Sequence, residues 1–175
     1  MAKMTNRFWY AGAIAFATLT LAGCGNHWPM EFRTPPAIQH QRDLEPATEW
    51  DRTLILTVRD VHFDSRASSV RWEDRAAIEQ AGLVFNRMLE EEPDLVIVIE
   101  GHSDDAGSRQ FNHLLGKRRA EAVREVLVGA GVPVAHLRTA SLGNRDLLCR
   151  TTEDACREKN RRVHFRSARF IGDRR

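Results

Sequence analysis

Leu95-Val96-Ile97-Val98-Ile99 is the stretch on which the fold turns. It is a near-continuous apolar run of strand length, four of its five residues β-branched, and it reads as a central strand buried on both faces. Working upstream, Trp72–Glu91 sets Ala77, Ala81, Phe85, Met88 and Leu89 on one helical stripe, and Pro93 ends that helix. Further upstream, Leu54-Ile55-Leu56-Thr57-Val58 predicts another strand. Downstream, a polar turn over residues 101–107 feeds a second helix over residues 108–130, closed by Gly129 and Gly131, and residues 137–142 and 163–165 supply two more short strands. The order β-α-β-α-β-β predicts an α/β (α+β) sandwich with helices packed on a mixed sheet.

The chain has 175 residues, 42% hydrophobic and 29% charged, which suits one ordinary domain plus a small excess. No apolar run reaches the roughly 18 to 20 residues needed to span a bilayer. The formal charge is +2, but Lys3 and Arg7 are the only charges in the first 23 residues, so the remainder holds 26 − 2 = 24 basic residues against 24 acidic. A neutral remainder argues against a nucleic-acid binder. The run Arg161, Arg162, Arg166, Arg169, Arg174 and Arg175 then reads as a solvated charge run.

Residues 1–23 have a basic start, an apolar stretch too short to span a membrane, and small residues before Cys24, which is the build of an export signal. Leu21-Ala22-Gly23-Cys24 resembles the bacterial lipobox, which implies a diacylglycerol on the Cys24 thiol and Cys24 as mature N-terminus. Gly25 rather than Asp at the next position implies sorting to the outer membrane. Residues 24–50 hold four of the six prolines and no hydrophobic periodicity, and so read as the lipidated end and a flexible tether; residues 51–175 read as the domain. Export exposes Cys149 and Cys156 to an oxidising compartment, where a disulfide is expected.

At 100° per residue from Phe111, Arg119 falls at about 80° and Asn112 at about 100°, among Leu115, Val126 and Val123. An unpaired guanidinium there costs several kcal/mol, so Arg119 is expected to find a carboxylate, with Asp104 or Asp105 the nearest. Two readings stay open at this point. One is an internal Asp-Arg pair that pins the loop to the helix. The other is a pocket whose acid grips an ammonium and whose arginine grips a carboxylate, as a zwitterionic amino acid requires.

Ile99-Glu100-Gly101-His102-Ser103-Asp104, with Gly107, Phe111-Asn112, Leu115, Arg118-Arg119-Ala120 and Val123, resembles the OmpA-like peptidoglycan-binding domain, whose pattern runs G-H-T-D, G, Y-N, L-S and R-A. Phe63-Asp64-Ser65, Gly143 and Asn160-Arg161-Arg162-Val163 match the same family, so the resemblance spans residues 54–166. With the lipobox, the chain resembles the Pal-type lipoproteins of that family. The resemblance implies a non-enzymatic, cofactor-free domain facing the periplasm, anchored through Cys24 in the outer membrane. It would bind the diaminopimelate of a peptidoglycan stem peptide through Asp104 and Arg119, with Asn112 lining the site and His102, Ser103 and Phe111 supporting it. The alternative it implies is a module that docks on Tol-type periplasmic proteins with little direct wall binding. Three positions depart from the pattern: Ser103 for Thr, Phe111 for Tyr and Gly116 for Ser, the last at a cost of up to about 1 kcal/mol in helix propensity.

Other chemistries fit less well. His102, Asp104, Asp105 and His113 match no metal-ligand spacing, and His113 falls on the other side of the wheel from Arg119. Ser103 beside His102 does not make a nucleophile pair, because adjacent residues leaving a strand point apart.

Overall fold

In the computed structural model, which describes residues 44–171, every residue of the central strand β3 (Leu95–His102) is buried. β3 pairs in parallel with β4 (Leu137–Gly143) and antiparallel with β5 (Arg162–Phe170). The edge strand β1 (Leu44–Pro46) and the two-residue β2 (Val61–His62) both pair antiparallel with β5. The sheet is therefore mixed, with path β1-β5-β3-β4 and β2 joining at β5. Four helices complete the domain: α1 (Thr48–Thr57), α2 (Trp72–Glu91), α3 (Arg109–Gly129) and α4 (Asp154–Asn160). The expected architecture of helices on a mixed sheet is what the chain adopts.

β3, α3 and β4 form a parallel crossover unit, which needs a helix-length connection. α2 and α3 cover the face of β3 that carries Leu95, Ile97 and Ile99, and the core there includes Phe85, Leu127 and Phe165. Phe85 meets Phe165 edge to face, with centroids 5.2 Å apart. The buried stripe of α2 is Ile78, Ala81, Phe85, Met88 and Leu89. Ala77, expected on it, is exposed, because the larger Ile78 takes the inward position.

Two expectations need correction. Residues 54–58 form no strand: they are the last turn of α1 and its C-cap, Val58. Ala47, Trp50, Leu54 and Val58 recur at helical spacing and pack on the core, so the period that decides the element begins upstream of the apolar run. The segment read as a tether, residues 24–50, also reaches into the fold. β1 and the start of α1 lie inside that segment, held by Ser167, whose hydroxyl donates to the Ala47 carbonyl at 2.7 Å and whose N–H donates to Asp51 Oδ1 at 2.8 Å. Residues 1–23, read as an export signal, and Cys24 lie outside the described residues.

α4 is an element the loop composition concealed, and Cys149 and Cys156 at its edge form the expected disulfide. The Asn160 amide fastens the bridged loop by donating to the Cys149 carbonyl at 2.7 Å and accepting from its N–H at 3.1 Å. Gly116 is a fitted position and not a defect. A Cβ on Gly101 would lie 1.8 Å from the Gly116 carbonyl oxygen, so β3 and α3 touch backbone to backbone at this pair of glycines. That contact seats the first turns of α3 directly over the end of β3.

Candidate functional site

The turn between β3 and α3 carries the acids. Ser108 caps α3, its Oγ accepting from the Phe111 N–H at 3.2 Å. Gly107 holds φ at +93°, and a Cβ there would stand 3.2 Å from the Phe111 ring, so the turn closes against that ring. Asp104 is 7% exposed. Its Oδ1 accepts from the Ala106 N–H at 3.2 Å and its Oδ2 from Arg161 Nη1 at 3.3 Å. Asp105 accepts from Arg157 Nε at 2.9 Å. Asp104, Gly107, Phe111 and Leu115 line an open cavity of about 290 Å³, closed on its other side by Ser65 and Arg66 from the loop after β2. A larger cavity of about 380 Å³, between α2 and residues 57–62, holds none of the predicted site residues.

Arg119 occupies the buried face of α3 beside Asn112, Leu115 and Val123, as the wheel requires, and is 0% exposed. No carboxylate bonds it among the described residues. Instead Nε donates to the Ala67 carbonyl at 2.8 Å, Nη1 to His102 O at 2.8 Å and Nη2 to Asp64 O at 3.2 Å, while Cζ stands 5.3 Å from the Phe63 ring centroid. Asp104 pairs with Arg161, so no direct Asp104–Arg119 ion pair forms. A guanidinium has five N–H groups, which leaves one on each terminal nitrogen beyond these three bonds. Burial lowers its pKa to about 10; the negative Asp104 opposes that shift and Arg161 adds to it. Arg119 therefore keeps its charge at neutral pH, pins the loop that carries Ser65 and Arg66, and does not itself line the cavity.

The supporting residues divide. Phe111 lines the cavity with its ring 44% exposed. Asn112 is fully buried, Nδ2 donating to the Gly107 carbonyl at 3.5 Å and Oδ1 without a partner. His102 contributes through its backbone carbonyl, which accepts from Arg119. Its ring is buried without a partner for either nitrogen, and burial together with the Arg162 charge lowers its pKa to about 4. Ser103 is fixed by its N–H, which donates to Gly143 O at 2.9 Å, and its hydroxyl is buried without a partner.

A family model described as the OmpA family matches residues 62–161. The chain belongs to the OmpA family. It is 32% identical over 146 residues to the peptidoglycan-associated lipoprotein of Rhizobium meliloti (strain 1021), covering 83% of this chain and 80% of that protein. The protein of the same name from Brucella melitensis is 31% identical over 148 residues, 85% of each. Among solved structures, the peptidoglycan-associated lipoprotein of Burkholderia pseudomallei superposes with TM-score 0.57 at 32% identity, over 64% of this chain and 92% of that one. The C-terminal domain of Helicobacter pylori MotB superposes with the same TM-score at 22% identity, over 63% of this chain and 84% of that one, and so shares the fold. The OmpA family is structural and non-enzymatic.

Within this OmpA-family domain, two arginines that the helical wheel could not reveal support the acids of the site. Arg157 on α4 holds Asp105, and Arg161, just past α4, holds Asp104 while donating from Nε to Phe63 O at 3.0 Å. The Asn-Arg-Arg-Val run carries the family resemblance through Arg161, which is paired with Asp104 and not solvated as the basic run suggests; nothing in the sequence marks Arg157. The arginines of the last strand are matched by acids: Arg162 by Asp60 at 3.4 Å and Asp146 at 3.6 Å, Arg166 by Glu100 at 3.4 Å, and Arg169 by Glu49 and Glu92. They form no uncompensated phosphate-binding stripe.

Proposed function

We propose that this protein binds peptidoglycan non-covalently, taking the diaminopimelate residue of the stem peptide at the Asp104 cavity, and that acylated Cys24 makes it a tether between the outer membrane and the wall. The observation that carries the reading is Arg119: a charged guanidinium, spaced from Asp104 by no direct bond, whose fixed hydrogen bonds all go to neutral carbonyls. Asp104 supplies the acceptor for an ammonium, and the two remaining N–H groups of Arg119 supply donors for a carboxylate once the cavity floor admits it. Asn112 Oδ1, buried without a partner on the same face of α3 as Arg119, is a further acceptor. Relatives bearing the name peptidoglycan-associated lipoprotein support the same reading.

Co-sedimentation with purified sacculi tests it. The chain should pellet with diaminopimelate-type sacculi and much less with lysine-type sacculi, whose peptides lack the side-chain carboxylate and leave Arg119 unmatched. Equal retention on both would sink the zwitterion reading. Cys24→Ala should move the protein from the membrane fraction to the soluble pool. Retention on a Tol-type partner with no retention on either wall would instead favour the docking-module alternative.

A further inference from the structure

The Asp104 cavity lies on one side of the first turns of α3, and a second cavity of about 300 Å³ opens on the other side, between α3 and β4. His113, Lys117, Ser141 and Arg145 line it, and no Asp or Glu does. Among the described residues Arg145 bonds only to carbonyls, Nε to Leu142 O at 3.2 Å and Nη2 to Ser141 O at 2.7 Å, and its charge has no counter-ion there. Ser141 Oγ donates to His113 O at 2.7 Å, which ties the two walls together. Lys117 has one exposed partner, Glu121, at 3.8 Å.

The helix itself adds to this field. Asp and Glu normally gather in a first turn, where they complement the positive end of the helix dipole. The first turn of α3 has none, and from Arg109 to Arg118 the helix carries three cations and no acid. Between the cavities the outer surface of α3 presents Phe111 and Leu114, exposed by 44% and 47%. An apolar bridge thus joins an acid-bearing cavity to a cationic one.

Resting on the peptidoglycan reading above, we propose that the α3–β4 cavity is a second subsite, which binds a peptide carboxylate of the same stem peptide as its chain crosses Phe111 and Leu114. Charge complementarity selects the occupant: the cavity presents guanidinium and ammonium groups with no acid, and a stem peptide offers carboxylates on either side of its diaminopimelate. The span agrees, since a helix about 10 to 12 Å wide is crossed by the extended diaminopimelate side chain together with one or two extended residues at about 3.5 Å each. The two candidate carboxylates, the C-terminal one and the α-carboxylate of the glutamate, share one chemistry and are separated by experiment.

The test is calorimetric titration of the chain with three soluble diaminopimelate stem peptides: unmodified, amidated at the C-terminus, and amidated at the glutamate α-carboxylate. The unmodified peptide should bind about tenfold more tightly than one of the amidated forms, the two cations each contributing a few-fold. In Lys117→Gln/Arg145→Gln that preference should vanish while the amidated peptide still binds as it does to the parent. Lys117→Gln alone, which leaves the Arg145–carbonyl bonds intact, should lose part of the preference. Equal binding of all three peptides by the parent, or an unchanged preference in both variants, overturns the subsite and leaves the Asp104 reading standing. Failure of the parent to bind any of them overturns both. Retention of an acidic protein partner through Lys117 and Arg145, with no effect of peptide amidation, assigns the surface to protein docking and overturns the proposal.

Discussion

Arg119→Met keeps a long apolar stem in the buried face of α3 and removes the guanidinium. Three carbonyls, of Asp64, Ala67 and His102, then lose their donor. The His102 bond is buried and the other two are part-buried, so at about 1 to 3 kcal/mol for the buried group and about 1 kcal/mol for each of the others the loss is roughly 3 to 5 kcal/mol. Against it stands the cost of burying the charge, visible in the lowering of the Arg119 pKa to about 10. That lowering corresponds to about 3 kcal/mol, so the net destabilisation should be at most about 2 kcal/mol, with the loop over residues 64–67 loosened first. Urea denaturation of the Cys24→Ala chain, followed by circular dichroism, measures this directly. An unchanged midpoint together with unchanged protease susceptibility of residues 64–67 would refute the claim that Arg119 clamps the loop, and would leave ligand contact as its main role. The same result governs how binding data are read, because a clamp that fails also spoils the cavity wall carried by Ser65 and Arg66.

Three further outcomes are expected. His102, with its pKa lowered to about 4, is neutral in the fold and protonates more readily when unfolded, so its contribution is intact above pH ~6.5 and lost as pH falls toward 4, by roughly 3 kcal/mol; His102→Phe should flatten that loss, whereas His164, raised by its hydrogen bond to Asp60, contributes below pH ~6.5 and fades as pH rises. Gly101→Ala sets a Cβ 1.8 Å from the Gly116 oxygen and must push α3 off β3, so it should cost about 3 kcal/mol or more in denaturant, and a normal midpoint would contradict the glycine contact. Cys149→Ser opens an eight-residue loop, worth about 2.5 kcal/mol in the chain-entropy model, and should lower the thermal midpoint of the non-reduced protein while leaving that of the reduced protein unchanged.

The parts of this molecule legible from sequence are those where one period dominates. Residues 95–99 read only as a buried strand, and the 3.6-residue period of α3 places Arg119 and Asn112 inward. α1 was misread because its apolar run is short and its helical partners, Ala47 and Trp50, sit in a proline-rich context. β5 reads as shorter than it is, because Arg162, His164 and Arg166 break the apolar alternation on a face where Asp60 and Glu100 compensate them. The counter-charge of Arg119 was also misassigned. Sequence spacing showed Asp104 nearby but could not show that Arg161, 57 positions away, reaches it first. Three backbone carbonyls carry no sequence signal at all, since every residue has one.

Asp104→Asn isolates the central claim. It keeps the size of the side chain and an oxygen for the Ala106 N–H, removes the negative charge together with the oxygen that accepts from Arg161, and leaves the Arg119–carbonyl clamp in place. Sacculus co-sedimentation should then show affinity for diaminopimelate-type wall falling by at least about 30-fold, the lower bound for losing one partner of a desolvated charge contact. The circular dichroism spectrum should match that of the parent. A folded Asp104→Asn protein that pellets with diaminopimelate-type sacculi as the parent does would contradict the assignment of this cavity.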